Sequence, residues 1–272
     1  MSQQRVLITG VTGQDGSFLA EYLLEQEYLV FGMIRRTSSP NISRLQNVLI
    51  HPNFSLVEGD ITDLASMIRL IQQIKPDQVY NLASQSFVPT SWTQPLFTAQ
   101  ATGIGAVNVF EAVRIVHPTC KVYQASSSEM FGLQPTDSVQ NEQTTFYPRS
   151  PYACAKVFAH QMAINYRESH NLFIACGILF NHESERRGEQ FVTRKIAKAV
   201  AAIVHGQQQT LPLGRLDTQR DWGFAGDYVI AMHKMLLLEQ PDDFVIATGQ
   251  KHTVEQFVDK AFSHVGLDWK VY

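Results

Sequence analysis

Tyr152 and Lys156 stand four residues apart in "YPRSPYACAK", the separation that puts two side chains on one face of an α-helix. An ammonium held near a phenol stabilises the phenolate and lowers its pKa, which makes tyrosine a usable base near neutral pH. Ser150 suits the N-cap of such a helix and Pro151 its first turn. On its own the spacing also fits an ordinary surface pair, so its company decides. Upstream, "YQASSSEMFG", residues 123–132, ends a strand-like run in Ser127, Ser128 and Glu129. Serine is common wherever a chain leaves a sheet. The sharper reading is that these hydroxyls and the carboxylate handle protons for a substrate above the strand ends.

A third group opens the chain. "ITGVTGQDGSFLAEYLL" places Gly10, Gly13 and Gly16 between a strand and a helix, where a tight turn lets a pyrophosphate rest on backbone N–H groups at the positive end of the helix. An NAD-selective protein would carry Asp or Glu after the second strand. This chain has "MIRRTSS" there, and Arg35 and Arg36 suit a 2′-phosphate. NADP is therefore expected, although paired arginines also suit a solvated loop or a subunit contact. "EGDITD" offers Asp60 and Ile61 to an adenine ring, a carboxylate for its amino group and an apolar edge for its face. "NLASQS", residues 81–86, would pass beneath the nicotinamide ribose.

These groups need a scaffold that gathers strand ends. Short apolar runs ("RVLITG", "YLVFGMI", "FSLVEGD", "QVYNLA", "KVYQASS", "FIACGILFN") alternate with helical-period segments ("SFLAEYLLEQ", "LASMIRLIQQI", "AQATGIGAVNVFEAVRIV", "PYACAKVFAHQMAINYRES"). That alternation predicts an α/β fold, a doubly wound Rossmann-type parallel sheet covered by helices on both faces. Residues 1–181 form this expected domain. Residues 182–272 read as a smaller, partly discontinuous substrate lobe at the sheet's C-terminal edge, with a helix "VTRKIAKAVAAIVHG", a short strand "TLPLG", a helix near "YVIAMHKMLLLEQ", a strand "DFVIATG" and a helix "VEQFVDKAFSHVG".

The 272 residues can bury a sizeable core. A net charge of −3 gives no basic face for nucleic acid. Cys120, Cys154 and Cys176 are widely spaced and lack CxxC pairing, so neither a disulfide framework nor a zinc site is indicated and a reducing cytoplasm fits. The N-terminus lacks a signal-like apolar region, and no apolar run approaches the roughly 20 residues of a membrane span. His182 has no metal partner at ligand spacing, and no metal is expected. "ERRGEQ" and "VTRKIAKA" read equally as a solvated loop and an amphipathic surface helix.

Taken together, "ITGVTGQDGS", "IRRTSS", "VYNLASQSFV", "YQASSSEMFG", "FYPRSPYACAK", "NYRES", "GILFNHES", "RRGEQFVTRKI" and "QRDWGFAGDYV" occur in order as far as about residue 230. The chain resembles the extended short-chain dehydrogenases/reductases and, within them, the GDP-mannose 4,6-dehydratase family. The resemblance implies NADP bound by Gly10, Thr12, Gly13, Gln14, Asp15 and Gly16, by Arg35, Asp60 and Ile61, by Leu82, Ala83 and Ser84, and by Tyr152 and Lys156. It implies dehydration of GDP-mannose through an internal hydride cycle, with Ser127, Glu129, Tyr152 and Lys156 as the catalytic group. Ser86, Ser128, Asn181, Arg186, Val192, Lys195 and Arg220 would contact the substrate. Ser127 stands where the family commonly has threonine, so a hydroxyl remains without the methyl that restricts its rotamer. The resemblance also implies a longer C-terminus than "GLDWKVY" supplies, and a homodimer or homotetramer. Two other readings share parts of this pattern: a nucleotide-sugar reductase or 4-epimerase using Tyr152 and Lys156, and a cofactor-binding relative without turnover. Glu129 discriminates against the former, which has no water to eliminate.

Overall fold

The computed structural model describes residues 3–135 and 138–272. The chain divides into two compact units, Met1–Phe180 with Ala225–Ile246, and Asn181–Phe224 with Ala247–Tyr272.

The first unit is built on seven parallel strands: β1 (Arg5–Thr9), β2 (Leu29–Ile34), β3 (Phe54–Glu58), β4 (Gln78–Asn81), β5 (Lys121–Ser127), β6 (Ile174–Leu179) and β9 (Asp243–Ile246). Their spatial order is β3-β2-β1-β4-β5-β6-β9. Every residue of β4 and β6 is buried, as expected of strands covered on both faces. Helices α1 (Gln14–Glu25) and α8 (Ala225–Leu237) pack on one face through Leu19, Leu23, Tyr228 and Met232. On the other face lie α2 (Leu64–Ile74), α5 (Gly105–Val116) and α6 (Pro151–His170), with Met67, Ile71, Val109, Phe110 and Ala159 in the core. Two short helices, α3 (Val88–Thr93) and α4 (Pro95–Thr98), lead into α5. The strand order reverses between β1 and β4, which opens the crevice where doubly wound sheets take ligands.

The local reasons for these elements are readable. Asp63 caps α2 by accepting from the Ala65 N–H, and Lys75 ends it in a left-handed conformation. Ser150 caps α6 by accepting from the Ala153 N–H at 3.0 Å, Pro151 fills its first position, and Asn171 ends it at φ 54°. The expected single helix over residues 99–116 instead opens with a π-helical stretch, Ala99–Ile104, before α5. Gly103 there lies against the Phe158 ring and the Ala155 carbonyl of α6, and Thr102 Oγ1 accepts from the Gln85 N–H at 3.2 Å.

The second unit has a three-stranded sheet in which β8 (Gln219–Phe224) runs parallel to β7 (Asn181–Glu183) and antiparallel to β10 (Lys251–Thr253). Its core joins Ile196, Val200 and Ile203 of α7 (Val192–Val204) to Val254, Val258 and Phe262 of α9 (Val254–His264). Thr253 and Gln256 form a capping box at the start of α9.

Two expectations are corrected. The division at residues 181 and 182 does not leave all that follows in one lobe: α8 and β9 return to the first unit, because α8 buries Tyr228, Val229 and Met232 against α1 and β9 pairs with β6. The segment "TLPLG" is not a strand. Leu211 and Leu213 pack on the α7/α9 core, and the Leu211 N–H bonds the Tyr272 carbonyl rather than a strand ladder.

Candidate active site

The glycine turn leaves β1 at Gly10, whose φ of 72° is left-handed and whose missing Cβ would stand 2.8 Å from the Ala83 nitrogen. A Cβ on Gly16 would stand 2.4 Å from the Gly10 carbonyl oxygen. Both positions therefore admit no side chain, and the turn is pressed against the segment after β4. Gly13 differs: it is exposed, and only the Gly10 oxygen lies within reach of a Cβ there, at 3.2 Å. As the N-cap of α1 it offers no side chain to the first-turn amides, so the positive end of α1 is presented to an anion. This cradle fits a dinucleotide pyrophosphate. Gln14 and Asp15 begin α1, with Gln14 Nε2 donating to Asp15 Oδ1 at 2.9 Å, and Thr12 lies in the turn, its carbonyl accepting from Arg44 Nη1 at 3.1 Å. Arg44 escaped the sequence reading because nothing local ties it to a turn 32 residues away.

Leu82, Ala83 and Ser84 follow β4 and are partly buried, whereas Ser86 is exposed. Thr9 Oγ1 accepts from the N–H groups of Leu82 and Ala83 at 3.1 Å each. Asp60 Oδ1 accepts from the Thr62 N–H and hydroxyl at 2.8 Å, and buried Ile61 rests on Gly105 of α5. Arg35 and Arg36 lie exposed past the end of β2.

At the end of β5 the chain enters a 3-10 turn, Ser128–Met130, and Ser127 caps it by accepting from the Glu129 N–H at 3.2 Å. Ser127 is 9 % exposed; Ser128 and Glu129 are half-buried. The turn packs against α6, which carries Tyr152 and Lys156 one helical turn apart. Lys156 is 4 % exposed and donates to the Ala125 carbonyl at 2.6 Å, with its ammonium 5.8 Å from the centre of the Tyr152 ring. Burial pushes the Lys156 ammonium down to about 8, against a smaller opposing pull from the Asp15 carboxylate. A hydroxyl, a carboxylate, a phenol and an ammonium thus share one corner of the first unit. Such a set can take a proton from an alcohol and move another between carbon and oxygen.

Behind this corner lies a knot that sequence reading missed. Ser126 Oγ is 2.9 Å from His160 Nδ1, His160 Nε2 is 3.7 Å from Asp243, and Arg167 holds both Asp243 oxygens at 3.2 Å. It binds α6 to β5 and β9, three elements far apart in sequence. Cys176 joins His160 and Asp243 within 4.8 Å, but hydrogen bonds already engage the histidine and the carboxylate.

The remaining expected substrate residues belong to the second unit. Asn181 pairs with Trp222 in the sheet. The Arg186 N–H donates to Ser184 Oγ at 3.0 Å, and its guanidinium lies 3.5 Å from Glu185. Val192 begins α7, exposed Lys195 donates to the Pro212 carbonyl at 2.6 Å, and exposed Arg220 to the Gln219 carbonyl at 2.7 Å. His182 is buried in β7.

A family model described as GDP-mannose 4,6 dehydratase matches residues 7–272. GDP-mannose 4,6 dehydratase 2 of Arabidopsis thaliana is 52 % identical over 277 residues, covering 98 % of this chain and 74 % of that protein. The GDP-mannose 4,6 dehydratase of Drosophila melanogaster is 48 % identical over 274 residues, covering 97 % and 69 %. Among solved structures, a dTDP-glucose 4,6-dehydratase from Streptomyces venezuelae shares the fold with a TM-score of 0.88 at 22 % identity, covering 98 % of this chain and 83 % of that one. The expectation of NADP is corrected here. Solved structures of this fold hold NAD, and Arg35 and Arg36, on which NADP rested, are exposed residues past the end of β2. With its sheet order, its glycine turn and its Tyr–Lys helix beside a serine and a glutamate, the chain belongs to the GDP-mannose 4,6-dehydratase family.

Proposed function

We propose that this protein removes water from GDP-mannose to give GDP-4-keto-6-deoxymannose, and that Ser127, Glu129, Tyr152 and Lys156 carry the reaction. The single observation behind the residue assignment is the corner where the Ser127-capped turn bearing Glu129 packs on α6, with buried Lys156 beside Tyr152. The Tyr152 phenolate accepts the proton of the sugar's 4-hydroxyl, and the Lys156 ammonium stabilises that phenolate. Ser127 accepts from the Glu129 N–H, which leaves its own hydrogen to donate to O4. The resulting C4 ketone acidifies the proton on C5. Glu129 takes this proton and delivers it to the departing 6-hydroxyl, so water leaves and a C5–C6 double bond remains. A nicotinamide dinucleotide held in the glycine-turn cradle would supply the redox chemistry, accepting hydride from C4 and giving it back at C6, while C5 takes up the proton equivalent that Tyr152 accepted from the 4-hydroxyl. The net change is loss of one water with no net oxidation.

The same reading assigns Asn181, Arg186, Val192, Lys195 and Arg220 of the second unit to the nucleotide and diphosphate, and Ser86 and Ser128 to the sugar. A homodimer or homotetramer and a cytoplasmic location accompany it; among the described residues, no helix is long and apolar enough to cross a membrane. The test is incubation of purified protein with GDP-mannose, offering NAD and NADP separately, beside a Glu129→Gln variant. A product lighter by one water from the parent alone supports the reading. Water loss by the variant at the parent's rate would remove Glu129 from the mechanism.

A further inference from the structure

A buried polar row crosses the first unit's sheet near the strand ends. Thr9, Asn81 and Gln124 are cross-strand partners on β1, β4 and β5, so they share one face. Two residues earlier on the same strands that face is apolar, with Leu7, Val79 and Val122. Thr9 Oγ1 donates to Asn81 Oδ1 at 2.8 Å, Asn81 Nδ2 to Gln124 Oε1 at 2.8 Å, and Gln124 Nε2 to the Ala125 carbonyl at 3.2 Å. That carbonyl is the one Lys156 Nζ reaches at 2.6 Å.

The direction of this chain is forced. Thr9 Oγ1 already accepts from two backbone N–H groups, Leu82 and Ala83, so its own hydrogen turns to Asn81 Oδ1; the other acceptor, the Tyr80 carbonyl, is 3.5 Å away. Asn81 must then present its amide hydrogens to Gln124, and Gln124 its own to Ala125. Thr9, Asn81 and Gln124 are at most 3 % exposed, and even where every member of such a buried row is hydrogen-bonded, apolar residues of the same shape can take its place at nearly no cost in stability. Stability is a poor reason for them, whereas the carbonyl at the end of the row touches the candidate chemistry.

We infer that Gln124 is a positioning residue for the dehydration: by sharing the Ala125 carbonyl with Lys156, it fixes where the ammonium stands beside Tyr152, and through Asn81 and Thr9 it ties that point to the segment pressed against the glycine turn. This rests on reading Tyr152 and Lys156 as the proton-handling pair. Lysine has a long, flexible stem, so an oxygen held in place by a second donor sets its reach. Gln124 also brings an N–H, the positive end of a dipole, to the oxygen that serves the ammonium. Its removal therefore favours the charged lysine.

Two variants separate the parts. Gln124→Glu keeps the shape and accepts from Asn81 but brings a carboxylate oxygen to Ala125, and Gln124→Met removes donor and acceptor together. Each is assayed for kcat, KM and pH dependence, and the Lys156 ε-carbon is titrated by NMR in apoprotein labelled at lysine, assigned against Lys156→Met. The expected result is a kcat lowered by about tenfold or more with KM for GDP-mannose within about twofold. The Lys156 titration and the alkaline limb of kcat move upward, furthest in Gln124→Glu. A Lys156 titration unmoved in the variants overturns the inference even where kcat falls, since lost folding stability alone lowers activity. Should Gln124→Met fail to fold, the nearly isosteric Gln124→Glu carries the test. A parent that binds cofactor but removes no water overturns the proposed function instead, and the apoprotein titration still decides the role of Gln124.

Discussion

Glu129 carries the heaviest chemical demand of any single residue in the proposed reaction. Glu129→Gln keeps its size but cannot take the C5 proton, so water loss should fall by about a thousandfold or more while oxidation at C4 continues. Single-turnover absorbance of the reduced nicotinamide checks this, because the variant should accumulate that species and the parent should not. Ser127 makes a finer point. Its oxygen is fixed by the Glu129 N–H, a restraint that stands in for the missing methyl. Ser127→Thr should therefore leave kcat within about threefold, and Ser127→Ala should lower it by about a hundredfold. Lys156 sets a pH dependence. With burial holding its pKa at about 8, the ammonium is lost as pH rises through that value, and kcat should fall on the alkaline side. Stability moves the other way: between about 8 and the ordinary lysine value the unfolded chain binds the extra proton, so the penalty for burying this group shrinks as pH rises. Measuring kcat and urea midpoints over the same pH range checks both signs. Tyr152, Lys156 and the Ser150 cap were legible in the sequence because helix period and capping are local. Gln124, Asn81 and Thr9 were not, because strand register, absent from any short window, makes them neighbours.

Elements position these groups through close approach. Gly16→Ala would drive a Cβ to 2.4 Å from the Gly10 carbonyl oxygen and 2.6 Å from the Val11 Cα. Only backbone could yield there, so a loss of about 2–3 kcal/mol and failure to bind a dinucleotide are expected. Gly206→Ala is the control: nothing lies within 4 Å of its Cβ position, and a φ of 68° alone costs about 1 kcal/mol. Urea unfolding with calorimetric titration of the cofactor distinguishes the two. At this scale the sequence was legible where the pattern is local, as in "LASMIRLIQQI", which is α2 (Leu64–Ile74), or "KVYQASS", which is β5 ending at Ser127. It was not legible where a distant surface decides. The π-helical stretch at Ala99–Ile104 answers to Phe158 and Ala155 of α6, and α8 shows helical period without showing which unit it packs on.

For the whole molecule, α/β alternation announced a doubly wound sheet, and the strand order β3-β2-β1-β4-β5-β6-β9 places Gly10, Ala83, Ser127 and Glu129 at or just past the C-terminal ends of three neighbouring strands. The return of Ala225–Ile246 to the first unit supplies Asp243, which with His160 and Arg167 fastens α6 to β9. No local pattern forecast that return, since it depends on one strand finding an open edge at β6. In the proposed reaction as a whole, hydride leaves C4 and comes back at C6 of the same sugar, with water lost between. The measurement that tests it most directly uses GDP-mannose carrying deuterium at C4, with the product followed by mass spectrometry and NMR. The expected product is lighter by one water and carries deuterium at C6, with no build-up of reduced cofactor. Deuterium remaining at C4 with no mass loss, or passing out of the sugar into reduced cofactor, would contradict it.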